Sequence, residues 1–188
     1  MVHDRLETEL KIPARDLDAV RDALIRHAAT RTHAMAWEVN ILLDTVDDRL
    51  RKSGSILRLR TYGEQHLVTF KGPVRYQGKI KERPECEVSC DDTGRMAELF
   101  QHLGFSAIAR YEKYREAWLF GEVEVVLDHT PMGDFVEVEG PPETLNTTAV
   151  SLGLDPERAV RGSYLSLWSE YRTSHHGENL PDDMVFPE

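Results

Sequence analysis

The sequence predicts an α+β protein, an eight-stranded antiparallel β-barrel with helices packed outside it. Three observations carry this expectation. Eight segments read as strands, several of them alternating between charged and uncharged residues, and most are joined by short turns. The helical segments between them bear apolar stripes that need an apolar sheet face to cover. Closure of eight such strands also removes the exposed edges that an open sheet would leave.

The elements follow in chain order. Residues 6–12 form a strand with Glu7, Glu9 and Lys11 on one face and Leu6, Thr8, Leu10 and Ile12 on the other. Pro13 and Asp16 introduce a helix over 17–27, with Leu17, Val20, Leu24 and Ile25 as its apolar stripe. A long strand covers 34–45, and a polar turn at Asp47-Asp48 leads to Ser53-Gly54. Residues 56–61 and 67–71 read as a hairpin around Tyr62-Gly63-Glu64, ended by Gly72-Pro73. Residues 75–79 are a basic loop centred on Gly78, and 80–90 a further strand. Asp91-Asp92-Thr93 caps a second helix carrying Met96, Leu99, Phe100 and Leu103 on its apolar side, and Gly104 ends it. Strands follow over 107–120, 122–129 and 134–139, with Gly121 and Met132-Gly133 in the turns. Pro141-Pro142 opens a third helix to residue 152, and 160–171 forms a fourth. There is no convincing internal repeat.

A chain of 188 residues, 40% hydrophobic and 30% charged, suits one globular domain, placed here at 1–173. Residues 174–188 are polar with two prolines and are expected to be a loosely held tail, His175-His176 included. The formal charge of −10 argues against a general binder of nucleic acid or anionic membrane, although a local basic cluster can still take an anionic ligand. The opening Met1-Val2-His3-Asp4-Arg5 lacks a basic region leading into an apolar stretch, and no run reaches membrane-spanning length, so a cytoplasmic location is expected. Cys86 and Cys90, four apart on one strand, would lie roughly 13 Å apart at about 3.3 Å per residue, too far for a disulfide. They read as reduced thiols.

The charges supply the functional signal. Arg58 and Arg60 alternate with Leu57 and Leu59, and Lys71 follows Thr69. Arg83, Glu85 and Glu87 alternate with Pro84, Cys86 and Val88. Lys113 and Arg115 are two apart, Glu137 and Glu139 are interleaved with Val136 and Val138, and Asp128 sits beside Leu127. For any one strand a wet sheet face is the cheapest explanation. Helices that must cover the apolar faces from outside turn all the charged faces inward. Charges gathered there cost several kcal/mol per ion unless each is neutralised. Part of this can be internal pairing; a divalent cation on the carboxylates and a polyphosphate on the basic residues complete it economically.

The pattern Glu7-x-Glu9-x-Lys11, Leu57-Arg58-Leu59-Arg60, Thr69-x-Lys71-Gly72-Pro73, Arg83-x-Glu85-x-Glu87, Lys113-x-Arg115, Leu127-Asp128 and Gly133-Asp134-Phe135-x-Glu137-x-Glu139 resembles the CYTH superfamily. These are the triphosphate tunnel metalloenzymes, among them class IV adenylyl cyclases, thiamine triphosphatases and inorganic triphosphatases. The likeness runs in order from about residue 5 to 170, and Gly162-Ser163-Tyr164-Leu165 is similar to the family's closing helix. The resemblance implies a tunnel that takes a triphosphate on Lys11, Arg58, Arg60, Lys71, Arg83, Lys113 and Arg115. It implies Mg²⁺ or Mn²⁺ on Glu7, Glu9, Asp128, Glu137 and Glu139, with Glu85 and Glu87 as weaker ligands. Glu7, Glu9 and Lys11 would be the catalytic residues, Lys11 contacting phosphate or helping to deprotonate the nucleophile. Asp44 reads as structural, and Lys79 and Lys81 either extend the basic track or are solvated surface.

The expected substrate is tripolyphosphate, ATP or thiamine triphosphate. Attack by water makes the protein a triphosphatase; attack by a substrate's own ribose 3′-hydroxyl makes it a cyclase releasing pyrophosphate. The bacterial cyclases it resembles carry a His-Phe pair just ahead of the first strand, whereas His3 here precedes Asp4, so hydrolysis is placed first. A non-catalytic polyphosphate-binding module is the third reading. Monomer and homodimer stay open.

Overall fold

The computed structural model describes residues 5–187; the His3-Asp4 spacing lies outside them. Eight strands close into an antiparallel barrel. They are β1 (Arg5–Ala14), β2 (Thr30–Thr45), β3 (Ile56–Tyr62), β4 (Gln65–Lys71), β6 (Ile80–Ser89), β7 (Phe105–Phe120), β8 (Val123–Thr130) and β9 (Gly133–Glu139), with β5 (Arg75–Gln77) outside the ring. The order round the ring is β1-β9-β8-β7-β2-β3-β4-β6. β1 closes it by pairing with β9 through Leu10↔Val138 and with β6 through Glu7↔Arg83.

Among the described residues there are five α-helices: α1 (Leu17–Arg26), α2 (Arg49–Lys52), α3 (Thr93–His102), α4 (Pro142–Ser151) and α5 (Tyr164–Ser174). α1 begins where Asp16 accepts the Ala19 N–H, and α3 where Asp92 accepts from Gly94 and Arg95. Leu17, Val20, Ala23 and Leu24 of α1, with Leu145 and Ala149 of α4, pack on Leu10, Ile12, Val125, Leu127, Val136 and Val138 of the barrel. Each fully buried leucine in this cluster contributes roughly 2 kcal/mol of apolar burial. A second cluster joins Leu43, Leu57, Leu59 and Val68 to Met96 and Phe100 of α3. The apolar strand faces therefore look outward under helices, which leaves the charged faces to the interior.

Besides the tail, three local expectations differ from the structure. The basic loop is a hairpin: Gly78, at φ +61°, lets β5 fold back on β6 with Gln77 opposite Ile80. The turn after β2 contains α2, because Asp44 accepts the backbone N–H groups of Leu50 and Arg51 as well as Thr45. The final helix starts later, at Tyr164, where Ser163 caps it; upstream, the Val160 N–H is taken by the Lys11 carbonyl.

The tail is docked rather than loose. β8 pairs with β7 only from Tyr114 onward and ends at Thr130, so the first half of β7 has an edge to fill. Met184 fills it, donating to the Arg110 carbonyl and accepting from the Glu112 N–H, with its side chain buried against Tyr111, Tyr164 and Trp168. Among the described residues no helix is long and apolar enough to cross a membrane, and Cys86 and Cys90 are both free thiols.

Candidate functional site

A cavity of about 630 Å³ occupies the barrel interior. Period-two alternation brings Glu7, Glu9 and Lys11 of β1, Arg58 and Arg60 of β3, Lys71 of β4 and Arg83, Glu85 and Glu87 of β6 onto its wall. Lys113 and Arg115 of β7 and Glu137 and Glu139 of β9 complete the set expected from the sequence. Asp128 alone among the expected site residues stays off the wall: it is fully buried behind Lys113 and Arg115. Lys81 also lines the cavity, extending the basic track as one sequence reading had it.

The wall is a network of ion pairs. Lys71 Nζ lies 2.5 Å from Glu7 and 3.0 Å from Glu85. Lys11 Nζ lies 2.8 Å from Glu137 and 3.9 Å from Glu9, while Lys81 holds Glu9 at 2.5 Å. Arg115 grips Asp128 through two nitrogens, at 2.7 and 2.5 Å, and Glu137 at 2.5 Å; Lys113 adds a 2.9 Å bond to Asp128. Arg58 and Arg60 approach Glu87 only loosely, at 3.7 and 4.0 Å. Arg83 donates from Nε and Nη2 to the carbonyls of Lys71 and Gly72, so it also fixes the turn after β4.

These pairs set the protonation states. Burial works against the Lys11 ammonium, but Glu137 and Glu9 outweigh it and hold the amine above the usual lysine range. Burial likewise works against the Glu137 carboxylate, yet Lys11, Arg115 and Lys113 keep it well below the usual glutamate range. The Tyr164 hydroxyl donates to Asp128 at 2.5 Å, and burial together with that carboxylate keeps the phenol protonated. Lys11 and Lys113 sit 4.1 and 4.6 Å from the centre of its ring, which gives both cations a further favourable face.

Sequence reasoning missed Glu38, Asn40 and Tyr111. Glu38 and Asn40 are fully buried on β2 beneath the basic residues, and Tyr111 lines the cavity, accepting from Arg58 at 3.3 Å. The signal for the first two was present: Glu38-x-Asn40 interrupts an apolar strand at the same period of two as the other charged rows.

The donor set fits a hard divalent ion. Glu7 and Glu9 on β1 and Glu137 and Glu139 on β9 are oxygen donors, Glu9 directly opposes Glu139, and Glu7 Oε2 is buried without a hydrogen-bond partner. Among the described residues no three carboxylate, His or Cys side chains are gathered as a ready-made metal cluster. Glu7, Glu9 and Glu137 turn to lysine and arginine side chains instead.

The CYTH domain profile matches residues 5–152. A Methanocaldococcus jannaschii protein named "Putative adenylate cyclase" is 25% identical over 173 residues, spanning 86% of this chain and 98% of its own. A Vibrio parahaemolyticus structure, also described as a putative adenylate cyclase, superposes with a TM-score of 0.80 at 20% identity, covering 89% of this chain and 99% of the other. A Hippeastrum structure, described as a putative adenylyl cyclase with a dominant triphosphatase activity, gives a TM-score of 0.62 at 17% identity, covering 96% and 99%. Both structures share the barrel fold. With the whole barrel inside the profile match, the chain belongs to the CYTH family.

Proposed function

We propose that the protein is a divalent-metal-dependent phosphohydrolase that cleaves a triphosphate, inorganic or organic, held in the barrel. The observation that carries this reading is the charge balance of the cavity wall, which bears eight basic and seven acidic side chains. A simple anion binder needs only the basic set. Here a polyphosphate takes the basic groups only as they leave their carboxylates, and those carboxylates then need another cation.

In this reading Lys11, Arg58, Arg60, Lys71, Arg83, Lys113 and Arg115 contact phosphate oxygens. Glu7, Glu9, Glu137 and Glu139 would hold Mg²⁺ or Mn²⁺, and Asp128 would be available to join them if Lys113 and Arg115 turned onto phosphate. The ion, when bound, would supply neutralisation of the charge developing on the phosphoryl oxygens and orientation of the attacking oxygen. Lys11 serves as a fixed positive contact rather than a base, since its neighbours hold the ammonium form. Glu85 and Glu87 orient Lys71, Arg58 and Arg60.

The second reading is cyclisation of ATP by its own 3′-hydroxyl. It is favoured by the name of the archaeal relative, which matches this chain along nearly its full length. The test is to incubate the protein with tripolyphosphate, ATP and thiamine triphosphate in Mg²⁺ or Mn²⁺ and identify the products. Orthophosphate release supports hydrolysis, whereas cyclic AMP with pyrophosphate supports cyclisation. Tight binding without turnover under either metal contradicts both and makes the protein a binding module.

A further inference from the structure

We propose that Glu38, outside the cavity wall, is the positioning residue that holds Arg60, Lys113 and Arg115 as one phosphate-facing set. The inference rests on the reading of the cavity as a triphosphate site. Glu38 is fully buried on β2, directly opposite Lys113 of β7. Its carboxylate lies 3.5 Å from Lys113 Nζ, 3.6 Å from Arg115 Nε and 3.8 Å from Arg60 Nε. Asn40 pins it by donating to Oε1 at 2.8 Å, while Oε2 accepts no hydrogen bond.

These distances matter. Asp128 takes short hydrogen bonds from Lys113 and Arg115 and so occupies one lysine donor and two arginine nitrogens. Glu38 neutralises charge from just outside hydrogen-bond range and consumes none. Arg60 Nε, next to it, likewise has no partner. Three cations converging from β3 and β7 would repel one another without an anion at their centre. With Glu38 there, they stay together with N–H groups left to meet phosphate.

The sign of one substitution separates positioning from simple charge balance. Glu38→Gln keeps the shape and removes one negative charge, so electrostatics alone predicts tighter binding of an anion. Positioning predicts the reverse: the cations splay, and tripolyphosphate affinity falls at least tenfold. Calorimetric titration of the folded protein with tripolyphosphate, run both without metal and with Mg²⁺ present, reads this, with the thermal transition as the check of fold. Glu38→Asp restores the charge and is expected within about threefold of wild type. Asn40→Ala frees the carboxylate and is expected to lose at least threefold, which keeps the test intact where the Gln variant does not fold. Unchanged or tighter binding in Glu38→Gln, unchanged binding in Asn40→Ala, or an Asp variant as weak as Gln overturns the proposal. A wild-type protein that binds no tripolyphosphate either without metal or with Mg²⁺ present overturns the functional reading itself.

Discussion

Glu9 and Lys81 are direct cross-strand partners between β1 and β6, and the lysine Nζ lies 2.5 Å from the carboxylate. On its other side Glu9 opposes Glu139 of β9. The same carboxylate therefore stands between a lysine that satisfies it and a second acid that would share a cation with it. Lys81→Gln should release Glu9 and leave two like charges facing each other. Mn²⁺ affinity of the substrate-free protein, read by the free-ion electron paramagnetic resonance signal, should rise three- to tenfold, about 0.7–1.4 kcal/mol. An unchanged affinity would remove Glu9 from the metal set.

Glu9→Gln should abolish metal-dependent turnover, by about a hundredfold or more, with the fold intact. Steady-state rates and a melting curve check this. Rates like those of wild type would show that the reaction does not depend on this carboxylate.

Arg58 makes long contacts to Tyr111 and Thr69, both at 3.3 Å, and a loose pair with Glu87, so its donors are available to a ligand. Arg58→Ala should raise KM for the triphosphate about tenfold, roughly 1.4 kcal/mol, with a smaller effect on kcat. Unchanged values of both would count against a phosphate contact at this position.

The pH dependence of stability follows from the shifted groups. Lys11 is raised, so its contribution is complete below the unfolded value of about 10.4 and is lost as pH climbs through the folded value. Glu137 is depressed, so its contribution is present above about pH 4.3 and is lost as pH falls through the folded value. Metal-free protein should therefore hold a steady urea midpoint from about pH 6 to 9 and lose it below about pH 4. Glu137→Gln should flatten that acid limb, and an acid limb of unaltered steepness would contradict the assignment.

The docked tail gives a prediction remote from the chemistry. Met184 is wholly buried beside Tyr111 and Tyr164, two residues that line the cavity. Met184→Ala should cost about 2–3 kcal/mol in a denaturant titration. A loss within about 0.5 kcal/mol, the range of surface substitutions, would mean that the contact does little in solution.

The barrel and its charged interior were legible because one rule, alternation with a period of two, applied to strand after strand. Helix stripes such as Leu17, Val20 and Leu24 then fixed which face was outside. What the sequence hid depended on distant partners. Glu38-x-Asn40 showed the right period, but its meaning lies in Lys113, Arg115 and Arg60, which come from other strands. The tail looked loose because its residues are mostly polar. Only the early end of β8 reveals that β7 has an edge for Met184 to fill. Asp128 was read with the wall carboxylates, since spacing alone does not show that Lys113 and Arg115 stand in front of it.

The central claim is hydrolysis of a triphosphate by a metal held on the β1 and β9 carboxylates. Phosphorus NMR of tripolyphosphate incubated with the protein and Mg²⁺ tests it most directly. The account predicts paired growth of orthophosphate and pyrophosphate signals, absent without Mg²⁺ and absent in Glu9→Gln. An intact tripolyphosphate spectrum at all times, or equal rates with and without the metal, would contradict it.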